Sequence, residues 1–215
     1  MEKFGKSQST VRLEDQRFLT GGGRYVDDIT PEGALFAYFL RSAVAHGDIA
    51  ELELDDARDM PGVALVVAAD DLVAAGVKMG LTGVQLPHVD GSKRKGPLRP
   101  LLAQSRVRHV GEAIAMIVAE TMDQARDAAE VIGLEIDDLP PHVAPVIGGE
   151  AIHPEAPQNE AFEWHKGDCA AVDAAIAAAA HVIRVNVPDN RIICNAMEPR
   201  GCYAEIADGR LHVAV

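Results

Sequence analysis

Eight histidines, three cysteines and four adjacent aspartate pairs are the groups in this chain best suited to chemistry. None of the histidines stands in an H-E-x-x-H pair, and none has zinc-finger spacing with a cysteine. His153 and His165 share a Pro/Glu-rich stretch that reads as an exposed linker. Cys194 and Cys202 flank Asn195-Ala196-Met197-Glu198-Pro199-Arg200-Gly201. Two lone cysteines make an incomplete metal site, so they read as buried strand residues. The triple glycine Gly21-Gly22-Gly23 invites a phosphate loop, but no lysine and hydroxyl follow at the required spacing, and Val26 breaks G-x-G-x-x-G. There is no G-x-S-x-G elbow. Asp27-Asp28, Asp55-Asp56, Asp70-Asp71 and Asp137-Asp138 fall at turns and helix starts, where capping accounts for them. Seven of the twenty basic residues (Lys78, Lys93, Arg94, Lys95, Arg99, Arg106 and Arg108) share one stretch, which reads as a solvated loop or, alternatively, an anion-binding one.

Such groups need a scaffold, and 215 residues supply one large domain or two small ones. A chain of this length buries about 70% of its unfolded surface, so it needs neither disulfides nor a metal to fold. Only 4% of residues are aromatic, so the core must be built from Ala, Val, Leu and Ile. A net charge of −13 disfavours nucleic acid and anionic membranes as partners. Three cysteines form no even-numbered framework and suit a reducing compartment. No stretch approaches the roughly 20 apolar residues of a membrane span, and residues 1–20 hold no signal-like apolar run. The expectation is a cytoplasmic protein.

Periodicity then places the elements. Residues 34–41 read as a strand. In residues 50–54, Ala50, Leu52 and Leu54 alternate with Glu51 and Glu53, as in a half-buried strand. Asp55 and Asp70 are candidate caps of short helices ending near Pro61-Gly62 and Gly76, with a buried strand at 63–67 between them. Residues 78–105 read as a long loop. Residues 113–119 are an unbroken apolar run. Thr121 and Gln124 suggest a capping box, Ala125, Ala128, Ala129 and Ile132 form one helical stripe, and Gly133 is placed to end the helix in a left-handed conformation. With a strand at 134–136, this predicts a right-handed crossover between parallel strands. A linker is expected within 140–167. Asp168 would cap a second helix burying Val172, Ala175, Ile176 and Ala179. Strands follow at 182–187 and 201–206, then an Asp208-Gly209 hairpin into 211–215. The chain stops inside that last strand, so a truncation is expected. From the residues alone, the chain is a soluble α+β protein without a visible active site.

Several segments, in order, resemble the large subunit of the xanthine dehydrogenase, aldehyde oxidase and carbon monoxide dehydrogenase family. They are Arg12-Leu13-Glu14-Asp15 through Gly23-Arg24-Tyr25-Val26-Asp27-Asp28; Leu40-Arg41-Ser42 with Ala45-His46; Met60-Pro61-Gly62-Val63; Val107-Arg108-His109-Val110-Gly111-Glu112 with Ala119-Glu120-Thr121; Leu139-Pro140; Trp164 with Gly167-Asp168; and residues 195–201. Ala43, Ala113 and Ala196 stand where the family commonly has proline. The resemblance implies an N-terminal extension (1–21), an α/β-hammerhead domain (22–140), a linker (141–162) and the opening part of the molybdenum-cofactor-binding domain (163–215). It implies hydroxylation of an aldehyde or N-heterocycle, or oxidation of CO, with water as oxygen source. It also implies a molybdenum pterin cofactor in its cytosine dinucleotide form, an FAD-binding medium subunit and an iron–sulfur small subunit. The family's catalytic groups map to no residue here, so the expectation is no catalytic and no metal-ligating residue, no cofactor bound to this stretch alone, and only Glu198 and Arg200 as near-site candidates. Two alternatives remain at this stage. One is a free-standing hammerhead module that binds a partner through residues 78–105. The other is a small cofactor-free hydrolase using His and Asp from the linker, with His153 or His165 as the histidine.

Overall fold

The computed structural model describes residues 12–81, 89–92, 99–189 and 200–215. In chain order the elements are α1 (Asp15–Leu19), β1 (Phe36–Arg41), β2 (Gly47–Glu53), α2 (Asp55–Arg58), β3 (Val63–Ala68), α3 (Ala69–Ala74), β4 (Gly80–Leu81), β5 (Arg99–Pro100), β6 (Arg106–Val107), β7 (Ala113–Ala119), α4 (Met122–Glu130), β8 (Gly133–Asp138), α5 (Cys169–Ala178), β9 (Tyr203–Ala207) and β10 (Arg210–Ala214). The chain divides into two units: Leu35–Ile183, and Met1–Ala34 together with Arg184–Val215.

The larger unit is organised by β7. Its apolar run lies between β1 and β3, antiparallel to both. Ala115, Ile117 and Ala119 point to one side, where they meet Ala125, Ala128, Ala129 and Ile132 of α4 and its end, with Leu54, Ala57, Val66 and Ala68. Ile114 belongs to a second cluster with Ala103 and Val107, packed by Ile49, Leu52, Leu134 and Ile136 of another sheet, ordered β6-β2-β8. A strand buried on both faces has no use for polar alternation, which is why residues 113–119 read as unbroken apolar sequence.

The expected parallel crossover is not formed. β7 and β8 belong to different sheets, and β8 runs antiparallel to β2. The pattern of β8 explains this. Leu134 and Ile136 pack inward while Glu135 and Asp137 alternate with them, as suits a one-sided antiparallel strand. Gly133 is the first residue of β8 and is absent from the positive-φ positions, so it does not close α4 in a left-handed turn. Thr121 does cap α4, its hydroxyl accepting the Gln124 N–H at 3.2 Å. The Gln124 side chain turns to accept from that hydroxyl at 3.0 Å, and the reciprocal bond of a capping box is replaced.

β2 departs from strict alternation at one point. The register with β8 slips between Ile49 and Glu51, leaving Ala50 as an exposed extra residue, so Ile49 rather than Ala50 joins Leu52 inside. In α3 it is Asp71, not Asp70, whose carboxylate accepts the Ala68 N–H at 2.8 Å. The N-cap of α2 is Leu54, without a side-chain bond, and Asp55 lies in the first turn, paired with Arg58 at 3.1 Å. Asp168 caps α5 through the Ala171 N–H at 2.9 Å. The expected buried face of α5 is exposed, Val172, Ala175, Ile176 and Ala179 included. Asp173 is the only charged residue in that helix, so its apolar pattern selects no face. Residues 182–187 form no strand.

In the smaller unit, Phe18 of α1 stacks on Tyr25 at 5.8 Å between ring centroids. The Asp28 carboxylate accepts the Tyr25 N–H at 2.9 Å, closing a single 3-10 turn at Val26–Asp28. β9 and β10 form the expected hairpin, with Asp208 at φ 52° and Gly209 at φ 72°. Positive φ at both turn residues matches the twist of the flanking strands and explains the Asp-Gly pair.

Candidate functional site

Three polar residues are buried among those described: Ser42, His46 and Glu112. Ser42 and His46 come from the loop joining β1 to β2, and Glu112 from the turn entering β7. The Ser42 hydroxyl donates to the Val44 carbonyl at 2.8 Å and accepts the Val44 N–H at 3.0 Å. Its backbone N–H donates to Glu112 O at 2.9 Å, and Gly111 N–H returns to Ser42 O at 2.8 Å. The Glu112 carboxylate accepts the Arg108 N–H and lies 3.6 Å from Nδ1 of His109. His46 faces the other way. Its Nδ1 is 2.8 Å from Pro140 O, and its own carbonyl accepts the Leu139 N–H. A carbonyl only accepts, so Nδ1 carries the proton. That leaves Nε2 buried, with no hydrogen-bond partner among the described residues.

Two arginines border this cluster. Arg106 of β6 clasps Asp48 of β2 through Nε to Oδ1 and through Nη2 to Oδ2 at 2.8 Å. The guanidinium hydrogen bond holds the Asp48 carboxyl below its usual range and raises the already high pKa of Arg106. Arg108 donates from Nε to Ile152 O at 3.2 Å. His153, the next residue, is half-buried rather than exposed as the linker reading required. Burial pushes its pKa below the ordinary value, and the nearby Arg108 charge adds to that.

These contacts tie the β1–β2 loop to the turn entering β7 and to residues 139–140. The Ser42 hydroxyl is bonded to a backbone carbonyl rather than to an imidazole, so it is not paired with a base. His165 is exposed and lies 2.9 Å from Glu163.

A groove of about 360 Å³ runs along β2 and α3, lined by Glu51, Glu53, Asp55, Asp70, Asp71 and Arg58 among others. Arg58 already bridges Asp55 and Asp71, and Gln104 donates to Asp70. Of the basic stretch, Arg106 and Arg108 are committed to the contacts above, while Lys93, Arg94 and Lys95 lie outside the described residues. Glu198 and Cys194 also lie outside them. Arg200 is exposed ahead of β9. Cys202 is exposed, not buried, because it leads into a hairpin most of whose residues face solvent, and Cys169 is likewise free. Sequence reasoning singled out His46 and Glu112 only as parts of a resemblance. Their burial depends on contacts with residues 139–140 and 108–109, and no local pattern announces it.

Comparison with known proteins supplies what the geometry does not. The family model for the α/β hammerhead domain of aldehyde oxidase and xanthine dehydrogenase matches residues 20–140. The chain belongs to the aldehyde oxidase and xanthine dehydrogenase family. The molybdopterin cofactor-binding domain model matches residues 152–215, so the hammerhead is followed by sequence of that domain. The chain is 36% identical over 201 residues to the nicotine 6-hydroxylase large subunit of Paenarthrobacter nicotinovorans, covering 90% of this chain and 23% of the relative. It is 30% identical over 210 residues to the carbon monoxide dehydrogenase large chain of Hydrogenophaga pseudoflava, covering 89% and 24%. Among solved structures, quinoline 2-oxidoreductase from Pseudomonas putida 86 superposes with a TM-score of 0.72 at 30% identity, covering 95% of this chain and 26% of that one. The chain thus spans about a quarter of the length of these relatives. Among the described residues, no group of three or more His, Cys, Asp or Glu converges as it would around a metal ion. No helix among them is long and apolar enough to cross a membrane.

Proposed function

We propose that this chain is the N-terminal quarter of the large subunit of a cytoplasmic molybdenum hydroxylase. The subunit would oxidatively hydroxylate an N-heterocycle, with water as the oxygen source. Its molybdenum pterin, in the cytosine dinucleotide form, would be held by segments beyond those present here. Electrons would leave through an iron–sulfur small subunit to an FAD-binding medium subunit. The stretch described here would be inactive alone and would serve as scaffold. Glu198 and Arg200 are the candidates for approaching the cofactor region.

The observation that carries this reading is the order of the two family matches, hammerhead at 20–140 and cofactor-binding domain at 152–215. The choice of an N-heterocycle over an aldehyde or CO rests on two relatives named for such substrates, nicotine and quinoline. The test is to purify the subunit with its partners and assay representatives of the three substrate classes with an artificial electron acceptor in 18O-water. The expected result is 18O in a hydroxylated heterocycle. Turnover of aldehyde or CO alone would overturn the substrate class. Turnover of none by a molybdenum-loaded complex would overturn the reaction.

A further inference from the structure

Residues 139–159 contain no helix or strand, yet they are tied to the hammerhead at several points. Leu139 N–H donates to His46 O, His46 Nδ1–H to Pro140 O at 2.8 Å, and Arg108 Nε–H to Ile152 O at 3.2 Å. Ala156 is buried. The segment also has its own internal order. Asn159, in the left-handed region at φ 55°, accepts the Ile152 N–H at 2.9 Å and donates to Gly148 O and Glu150 O at 3.0 and 2.9 Å. Gly148 N–H donates to Gln158 O, and Ala156 N–H to His153 O. An irregular segment with this much internal bonding moves as a unit, and its attachment depends on a few contacts.

We propose that this segment is a pH-sensitive strap, docked on the hammerhead while His153 is neutral and released when His153 is protonated. His153 sits half-buried, one residue from the carbonyl that anchors Arg108. The charged and titratable groups whose fields reach it are Arg108, His46, Glu112 and, from the strap itself, Glu155. Glu112 is already engaged by the Arg108 N–H and approached by His109, so it is a shared counter-charge. His46, bonded through Nδ1 to Pro140 O, also acts to lower the pKa of His153. Protonating His153 therefore places a second cation, partly out of water, beside a guanidinium that the strap holds in place. Burial first, and Arg108 second, depress the pKa of docked His153. Release returns it toward the ordinary value of about 6.5. The released strap then binds the proton more tightly, so docking is fully present above that pH and weakens as pH falls below it.

Hydrogen–deuterium exchange on the intact chain at about pH 7.5 and about pH 5.5 tests this, with rates corrected for the intrinsic pH dependence of amide exchange. Peptides covering 148–159 should exchange several-fold faster at the lower pH, while β7 stays unchanged. His153→Gln should keep the protection seen at the higher pH and lose its pH dependence. Glu155→Gln at an exposed position removes a counter-charge, so acid release should be more pronounced. Equal protection at both pH values, the same pH dependence in His153→Gln, or unchanged acid release in Glu155→Gln would each overturn the proposal.

Discussion

Arg106 holds Asp48 in the two-bond fork that suits guanidinium and carboxylate, and it joins β6 to β2 where the ladder has only two residue pairs. The Asp48 carboxyl is held below its usual range, so this support is present above the ordinary carboxylate pKa and is lost as pH falls through the lowered value. Arg106→Gln should raise the Asp48 titration midpoint toward normal, as read by carboxyl 13C NMR; an unmoved midpoint would show that the fork is not formed in solution. At α4, Thr121→Ala should cost about 1 kcal/mol in urea melts, since the hydroxyl accepts the Gln124 N–H. Gly133→Ala should cost less. Its backbone needs no left-handed conformation, and the added carbon would sit 3.1 Å from Cβ of its ladder partner Glu53, so the two strands need part by only a few tenths of an ångström. The cap could be read from sequence because it acts within three residues. The glycine could not, because its role depends on which strand lies beside it.

At the scale of elements, the close approach of β2 and β8 depends on Gly47. A Cβ there would lie 2.7 Å from the Asp137 carbonyl, and neither backbone can step aside without opening the ladder. Gly47→Ala should therefore destabilise by about 2 kcal/mol, more than Thr121→Ala. Equal urea midpoints for the two variants would show that the strands pack less tightly than this. Elements whose signal lies in their own residues were legible: the apolar run of β7, the alanine stripe of α4 and the Asp208-Gly209 turn. Where the signal lies in the partner, it was not. The bulge at Ala50 shifts the inward positions of β2, the antiparallel docking of β8 replaces the expected crossover, and α5 is apolar on too many sides to declare a buried face.

For the whole molecule, the β9–β10 hairpin presents Leu211 opposite Ile206 and Val213 opposite Ala204, with Leu211, Val213 and Ile206 all exposed. Unpaired strand edges carrying apolar residues invite pairing with a second copy. The net charge of −13 opposes this, and salt screens that repulsion beyond about 8 Å. Sedimentation velocity should show weak self-association that grows with salt and is suppressed by Val213→Lys; a monomer at every concentration and salt level would rule it out. The hammerhead and the onset of the cofactor-binding domain were legible as a series of short resemblances in order, and the family matches cover the same stretch. The candidate site was not, because Glu198 lies outside the described residues and the buried cluster at Ser42, His46 and Glu112 is assembled by long-range contacts. The proposed function makes this chain part of a molybdenum hydroxylase large subunit whose cofactor would be held by other segments of that subunit. Elemental analysis, run on the 215-residue chain and on the large subunit purified with its partners, tests it most directly. The expected result is no stoichiometric molybdenum, iron or zinc on the chain alone and about one molybdenum per large subunit in the complex. Molybdenum bound stoichiometrically to the 215-residue chain, or a folded, partner-bound large subunit without it, would overturn the proposed function.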